Sequence, residues 1–129
     1  MEYESMKVLT PRESLVLIEQ GALYVDLREK DFADFKIPDL PDIFLLPYSL
    51  LESHYKQLPH DRLLILSDSS GLKSKKAVAF LFDNGYEKLA VLAGGFVEWE
   101  RDGLPVRENV DDRLSGACAC QLKPRDRKK

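Results

Sequence analysis

Short apolar segments alternate along the chain with polar segments that contain glycine or proline. Four apolar segments have the length and composition of buried strands, at residues 22–27, 43–46, 63–66 and 88–92. The segment at residues 63–66 is the most hydrophobic, so we expect it at the centre of a sheet. Residues 31–35 are predicted as a single helical turn, and Pro38 and Pro41 indicate an irregular loop.

Helices are predicted between the strands, over residues 11–20 and 49–57 and in the segments that follow residues 74 and 94. The first helix has Thr10 as a favourable N-cap and Pro11 at its first position. The third ends at Asn84, which is followed by a glycine that accepts a positive φ. The fourth carries Phe96 and Trp99, which we expect to anchor it to the core.

This alternation of strands and helices predicts an α/β domain whose parallel sheet is covered on both faces. Ligands of such sheets bind beyond the carboxyl ends of the strands, where residues 67–73 and the turn at residues 93–95 are placed. A serine- and glycine-rich loop between a strand and a helix can hold an anion, because its N–H groups and the helix N-terminus point toward it. The alternative is a tight connection that binds nothing.

Composition and charge limit the classes of function. The length of 129 residues suits one domain, and 44% hydrophobic with 32% charged residues is typical of a globular protein. The net charge of −3 does not favour a nucleic-acid-binding fold, no apolar run would span a bilayer, and the N-terminus lacks a secretory signal. We expect a cytoplasmic monomer that has no cofactor and no metal, and that contacts neither nucleic acid nor membrane.

Several separated motifs resemble those of one family. Asp26-Leu27-Arg28 ends a strand as the family's Asp-x-Arg motif does. Residues 92–99 and 103–106 resemble its closing Gly-Gly-x-x-x-Trp and Gly-x-Pro-Val motifs, and residues 68–73 resemble its six-residue loop Cys-x-x-Gly-x-Arg. By these motifs, the chain resembles a single-domain rhodanese over about residues 6–106.

The resemblance implies a three-layer α/β domain with a central, mainly parallel, five-stranded sheet flanked by helices. We expect this domain to occupy residues 1–106 and a flexible basic tail to occupy residues 107–129. The implied chemistry moves a sulfane sulfur from thiosulfate or a persulfide donor to a thiol or cyanide. The implied active-site loop consists of Asp68, Ser69, Ser70, Gly71, Leu72 and Lys73, and Asp26 and Arg28 support it.

The loop departs from the family at the residue that matters most for this chemistry. Asp68 stands where the family has its nucleophilic cysteine, and a carboxylate cannot hold sulfane sulfur as a thiolate can. Lys73 keeps the charge of the usual arginine but loses its bidentate geometry. One reading is that the Asp68 carboxylate fills the anion site itself. The other is a phosphoryl-accepting aspartate, which normally needs an acidic cluster that binds Mg²⁺.

The two cysteines of the chain, Cys118 and Cys120, lie in the tail. One reading makes them a mobile dithiol that carries sulfur, binds a soft metal or undergoes redox cycling, because nearby basic residues favour thiolates. The other reading is two free tail thiols. We therefore expect a degenerate rhodanese-like domain that acts as a binding or regulatory module with an unknown protein partner. The alternative is a sulfur-transfer or thiol-redox protein that works on a sulfur donor or acceptor through Cys118 and Cys120.

Overall fold

A five-stranded parallel sheet forms the centre of the domain in the computed structural model, which describes residues 7–29 and 36–108. The seven strands are β1 (Val8–Leu9), β2 (Leu23–Asp26), β3 (Lys36–Pro38), β4 (Ile43–Leu45), β5 (Leu64–Ser67), β6 (Leu89–Leu92) and β7 (Val106–Glu108). The central sheet has the order β1-β6-β5-β2-β4. The predicted central position of residues 63–66 is confirmed, because β5 is the middle strand.

Helices cover both faces of this sheet, which confirms the predicted α/β architecture. They are α1 (Pro11–Glu19), α2 (Leu51–His54), α3 (Leu72–Asp83) and α4 (Gly95–Arg101). The helix predicted over residues 49–57 is broken, because α2 is flanked by 3-10 turns at Tyr48–Leu50 and Tyr55–Gln57. The helix predicted over residues 11–20 is confirmed: Thr10 accepts the Glu13 N–H and Glu13 accepts the Thr10 N–H, which closes a capping box.

Alternate residues of the strands divide the core into two layers. One set packs with α3, including Val25, Leu66 and Val91, and the opposite set includes Tyr24 and Ile65. The second layer also contains Phe96 and Trp99 of α4, of which Trp99 is fully buried. The prediction that these two aromatic side chains anchor the last helix is therefore confirmed. The three inner strands β2, β5 and β6 are buried on both faces, which explains why they read as continuous apolar runs in the sequence.

A second, two-stranded antiparallel sheet departs from the sequence prediction. β3 pairs with β7, so the segment around Pro38 is partly a strand and not only an irregular loop. Pro38 lies at the end of β3, where a missing N–H costs little. Arg107 and Glu108, which the sequence assigns to the tail, continue β7. The helical turn predicted at residues 31–35 and the tail cysteines lie outside the described residues.

Candidate functional site

The loop between β5 and α3 is closed around the carboxylate of Asp68. Oδ1 accepts the Gly71 N–H at 2.6 Å and the Ser74 hydroxyl at 2.9 Å, and Oδ2 accepts the Lys73 N–H at 3.0 Å. Asp68 is only 5% exposed. Gly71 has a φ of 101°, a left-handed conformation that suits glycine and turns its N–H toward the carboxylate. The Asp68 carboxylate thus accepts three hydrogen bonds from its own loop and the first turn of α3, the arrangement expected if it fills the anion site itself.

The N-terminus of α4 fixes the opposite side of the loop backbone. The Phe96 N–H donates to the Asp68 carbonyl at 2.7 Å, and the Val97 N–H donates to the Ser69 carbonyl at 3.1 Å. Gly95 lies against this backbone, where an added Cβ would overlap the Asp68 carbonyl oxygen and come within 2.8 Å of the Ser69 carbonyl. Only glycine allows this contact, so the predicted turn at residues 93–95 holds the loop. The carbonyls face α4, and the N–H groups of Gly71 and Lys73 face inward.

A buried hydrogen-bond chain supports the loop from below. The Tyr24 hydroxyl donates to Ser67 Oγ at 2.8 Å, and the Ser67 hydroxyl donates to the Asp68 carbonyl at 3.3 Å. The Tyr24 ring packs edge-on against Trp99, with ring centroids 5.6 Å apart. Burial raises the pKa of Tyr24 far above its ordinary value, and the charge of Asp26 raises it further. Tyr24 therefore stays protonated and serves as a hydrogen-bond donor under the loop.

Asp26 and Arg28 form a buried ion pair beside the loop. Arg28 Nη2 lies 2.8 Å from Asp26 Oδ2, and the Arg28 backbone N–H donates to Asp26 Oδ1 at 3.0 Å. The guanidinium also donates to the Lys36 carbonyl at 2.7 Å and lies 4.1 Å from the Phe96 ring centroid. Arg28 thus contacts three groups, the Asp26 carboxylate, the Lys36 carbonyl and the Phe96 ring, and joins β2, β3 and α4. The pair supports the scaffold, in agreement with the expectation that Arg28 pairs with Asp26.

The side chains of four predicted loop residues, Ser69, Ser70, Leu72 and Lys73, face outward. Ser69 and Ser70 are exposed, and Leu72 and Lys73 belong to the first turn of α3, where Leu72 is also exposed. Lys73 uses its backbone N–H toward Asp68, while its ammonium lies 5.6 Å from the Tyr48 ring centroid. The six predicted loop residues are therefore adjacent, but only the Asp68 side chain enters the anion site.

Residues that the loop motif does not include complete the site. Ser74 contributes a hydroxyl donor, Phe96 contributes a backbone N–H, and Tyr24 and Ser67 form the support below. Ser74 has a sequence signal, because it directly follows the loop motif. The contact of Tyr24 with Ser67 has none, since it depends on how two neighbouring strands are paired.

The geometry does not favour the phosphoryl-accepting reading of Asp68. Both carboxylate oxygens already accept hydrogen bonds from the loop. Within residues 7–29 and 36–108, no three histidine, cysteine, aspartate or glutamate side chains are grouped so that they would hold a metal ion. The Gly71 and Lys73 N–H groups and the Ser74 hydroxyl all donate to the carboxylate, as the donors of an anion site do. Over the same described residues, no helix is both long and apolar enough to cross a membrane.

Comparison with known proteins identifies the fold and its family. The family model for the rhodanese-like domain matches residues 10–102. A sulfurtransferase of Allochromatium vinosum is 33% identical over 87 residues, which cover 67% of this chain and 79% of that protein. The thiosulfate sulfurtransferase GlpE of Haemophilus influenzae is 29% identical over 102 residues, which cover 79% of this chain and 95% of that protein.

Solved structures share the fold of this chain. The crystal structure of a rhodanese-related protein from Thermoplasma volcanium superposes with a TM-score of 0.70 at 25% identity, over 78% of this chain and 97% of that one. A rhodanese-like domain from Anabaena superposes with a TM-score of 0.68 at 19% identity, over 100% of this chain and 96% of that one. The chain therefore belongs to the rhodanese-like domain family.

Proposed function

We propose that this domain carries no sulfur at its loop and acts as a binding or regulatory module. The proposal depends on one observation, the hydrogen bonding of the Asp68 carboxylate by Gly71, Lys73 and Ser74. In a sulfur-carrying loop, these donors would stabilise a thiolate or a persulfide anion. Here these donors bind the carboxylate of Asp68 instead of a sulfur anion.

The chemistry of the available side chains supports a loop without sulfur transfer. A thiolate is a soft nucleophile that forms a persulfide bond, whereas a carboxylate is a hard oxygen nucleophile and forms no such carrier. The hydroxyls of Ser69 and Ser70 are also hard nucleophiles, and no base activates them within the described residues. The charge of Asp68 would also repel the thiosulfate dianion. We therefore do not extend the thiosulfate sulfurtransferase activity named for GlpE to this loop.

Cyanide-dependent formation of thiocyanate from thiosulfate tests the proposal. The variant Cys118→Ala/Cys120→Ala contains no thiol, because the chain has 2 cysteines. We expect this variant to form thiocyanate only at the rate of a protein-free control. Adding Asp68→Cys to the same variant provides a positive control, and Asp68→Ser provides a control of the same size with an oxygen nucleophile. Turnover above the protein-free rate in the cysteine-free variant would contradict the proposal.

A second candidate function uses the tail instead of the loop. The observation in its favour is the spacing of Cys118 and Cys120, which are separated by one residue and followed by a basic segment. Mass spectrometry of the full chain after incubation with a persulfide donor tests it. Addition of the mass of one sulfur atom at these cysteines, together with turnover that Cys118→Ala/Cys120→Ala abolishes, would assign sulfur transfer to the tail. Unmodified cysteines would contradict this second function.

A further inference from the structure

An exposed apolar side chain surrounded by lysines lies beside the occupied loop. Leu72, the first residue of α3, is 70% exposed, which is the highest value among the large hydrophobic side chains of the described residues. Lys73, Lys75 and Lys76 are exposed around it, and the half-buried Tyr48 ring lies below the Lys73 ammonium. We call these five residues the loop-rim surface. Lys75 and Lys76 follow Leu72 by three and four residues, so they lie on the same side of α3.

Within residues 7–29 and 36–108, no ion pair involves a lysine of the loop-rim surface. Among residues 7–29 and 36–108, the ion pairs involve other basic side chains, such as Lys36, whose Nζ lies 2.8 Å from Glu100 Oε2. No acidic side chain of the described part of the chain therefore neutralises these three ammonium groups. The N-terminus of α3 adds partial positive charge to the same place, although Asp68 offsets part of it.

The overall charge of the domain limits what this surface can bind. Residues 1–106 carry 12 basic and 18 acidic side chains, a net charge of −6. A membrane or a nucleic acid presents negative charge over a wide area, which the acidic body would repel. A short acidic segment contacts only the lysines, because screening limits charge interactions to about 8 Å at physiological salt. Charge complementarity therefore favours an acidic peptide, and the exposed Leu72 favours one with an apolar side chain.

We propose that the loop-rim surface binds an acidic peptide segment of a partner protein. Leu72 and the Tyr48 ring contact an apolar side chain of the segment, and the ammonium groups of Lys73, Lys75 and Lys76 contact its carboxylates. This inference rests on the proposed function, since it names the partner class of a module that does no sulfur chemistry at its loop.

A designed peptide tests the inference on the full chain. The probe is a fluorescein-labelled peptide of glutamates around one central phenylalanine, and fluorescence anisotropy measures its binding. Two control peptides replace the glutamates by lysines or the phenylalanine by alanine. We expect only the acidic peptides to bind, the phenylalanine peptide more tightly, with an affinity that falls as salt is added. Amide NMR shifts induced by the probe should be concentrated at the loop-rim surface.

Charge-reversal variants separate a local contact from the net charge. We expect Lys75→Glu/Lys76→Glu to weaken binding by about tenfold or more. The matched control, Lys56→Glu/Lys88→Glu, changes the net charge equally at the opposite, amino edge of the sheet, because these exposed residues precede β5 and β6. We expect the control to change affinity by less than about twofold. Leu72→Ala should weaken binding by about threefold to tenfold without changing the salt dependence.

Four results would overturn the inference. They are absence of peptide binding, equal losses in the two charge-reversal variants, amide shifts that lie away from the loop-rim surface, and binding to phosphatidylserine vesicles in preference to the peptide. Failure of the proposed function gives a different result, thiocyanate formation by Cys118→Ala/Cys120→Ala, which is measured without the peptide.

Discussion

Removing the Asp68 carboxylate should destabilise the domain, although a buried charge is also removed. In Asp68→Ala, the N–H groups of Gly71 and Lys73 and the hydroxyl of Ser74 lose their acceptor. In Asp68→Asn, one oxygen can still accept the Gly71 and Ser74 bonds at Oδ1. The new amide group then faces the Lys73 N–H, which is also a donor. We expect the order of stability to be wild type, then Asp68→Asn, then Asp68→Ala.

The magnitude follows from the three hydrogen bonds. A hydrogen bond to a charged group contributes about 1.5–3 kcal/mol to stability when it is fully buried. Water can replace part of this at Lys73, because the hydrogen bond of its N–H is only partly buried. We therefore expect Asp68→Ala to lower the free energy of unfolding by about 3 kcal/mol, and Asp68→Asn by about 1–2 kcal/mol.

Urea unfolding followed by circular dichroism measures these differences. Asp83→Ala is a suitable control, because Asp83 is exposed at the end of α3 and accepts no side-chain hydrogen bond within the described residues. We expect the control to change stability by less than about 0.5 kcal/mol. If Asp68→Ala were as stable as the control or more stable than wild type, the carboxylate would not be the acceptor of the loop donors.

Three further variants test other parts of the structure. Because the folded pKa of Tyr24 is raised, stability is fully present below pH of about 10 and falls above it, and Tyr24→Phe should reduce this alkaline loss by about 1.4 kcal/mol per pH unit in urea unfolding. Gly95→Ala should lower the free energy of unfolding by about 2–4 kcal/mol, because its Cβ would overlap the Asp68 carbonyl. Gly85→Ala is the control: it has open space around it and should lower the free energy of unfolding by only about 1 kcal/mol. The Ser14 hydroxyl is buried without a hydrogen-bond partner among the described residues, so Ser14→Ala should raise the thermal midpoint, and a clear drop would show that the hydroxyl is satisfied.

The sequence predicts the centre of the sheet well because the inner strands β2, β5 and β6 are buried on both faces. Such strands appear as continuous apolar runs, and residues 63–66 are the clearest example. The pattern does not predict β1, because a strand of two residues is too short to be distinguished from a loop. β3 and β7 were missed because their pairing joins distant segments, with Lys36 opposite Glu108. No local pattern reports such a contact.

The site was predictable where its donors follow one another along the chain. The position of Asp68 and the spacing to Gly71 and Lys73 indicate a loop that binds its own carboxylate. Its supports come from other elements and depend on packing between them. Tyr24 reaches Ser67 from the neighbouring strand, and no spacing rule predicts that contact.

The reactivity of a thiol placed at the centre of the loop tests most directly whether the anion site is intact. The variant is Asp68→Cys in the Cys118→Ala/Cys120→Ala background, so the introduced thiol is the only one. The pH dependence of its alkylation by iodoacetamide gives its pKa. If the donors of Gly71, Lys73 and Ser74 form an anion site that Asp68 now fills, the thiol should have a pKa below the free value of about 8.5. A pKa at or above that value would contradict an intact anion site.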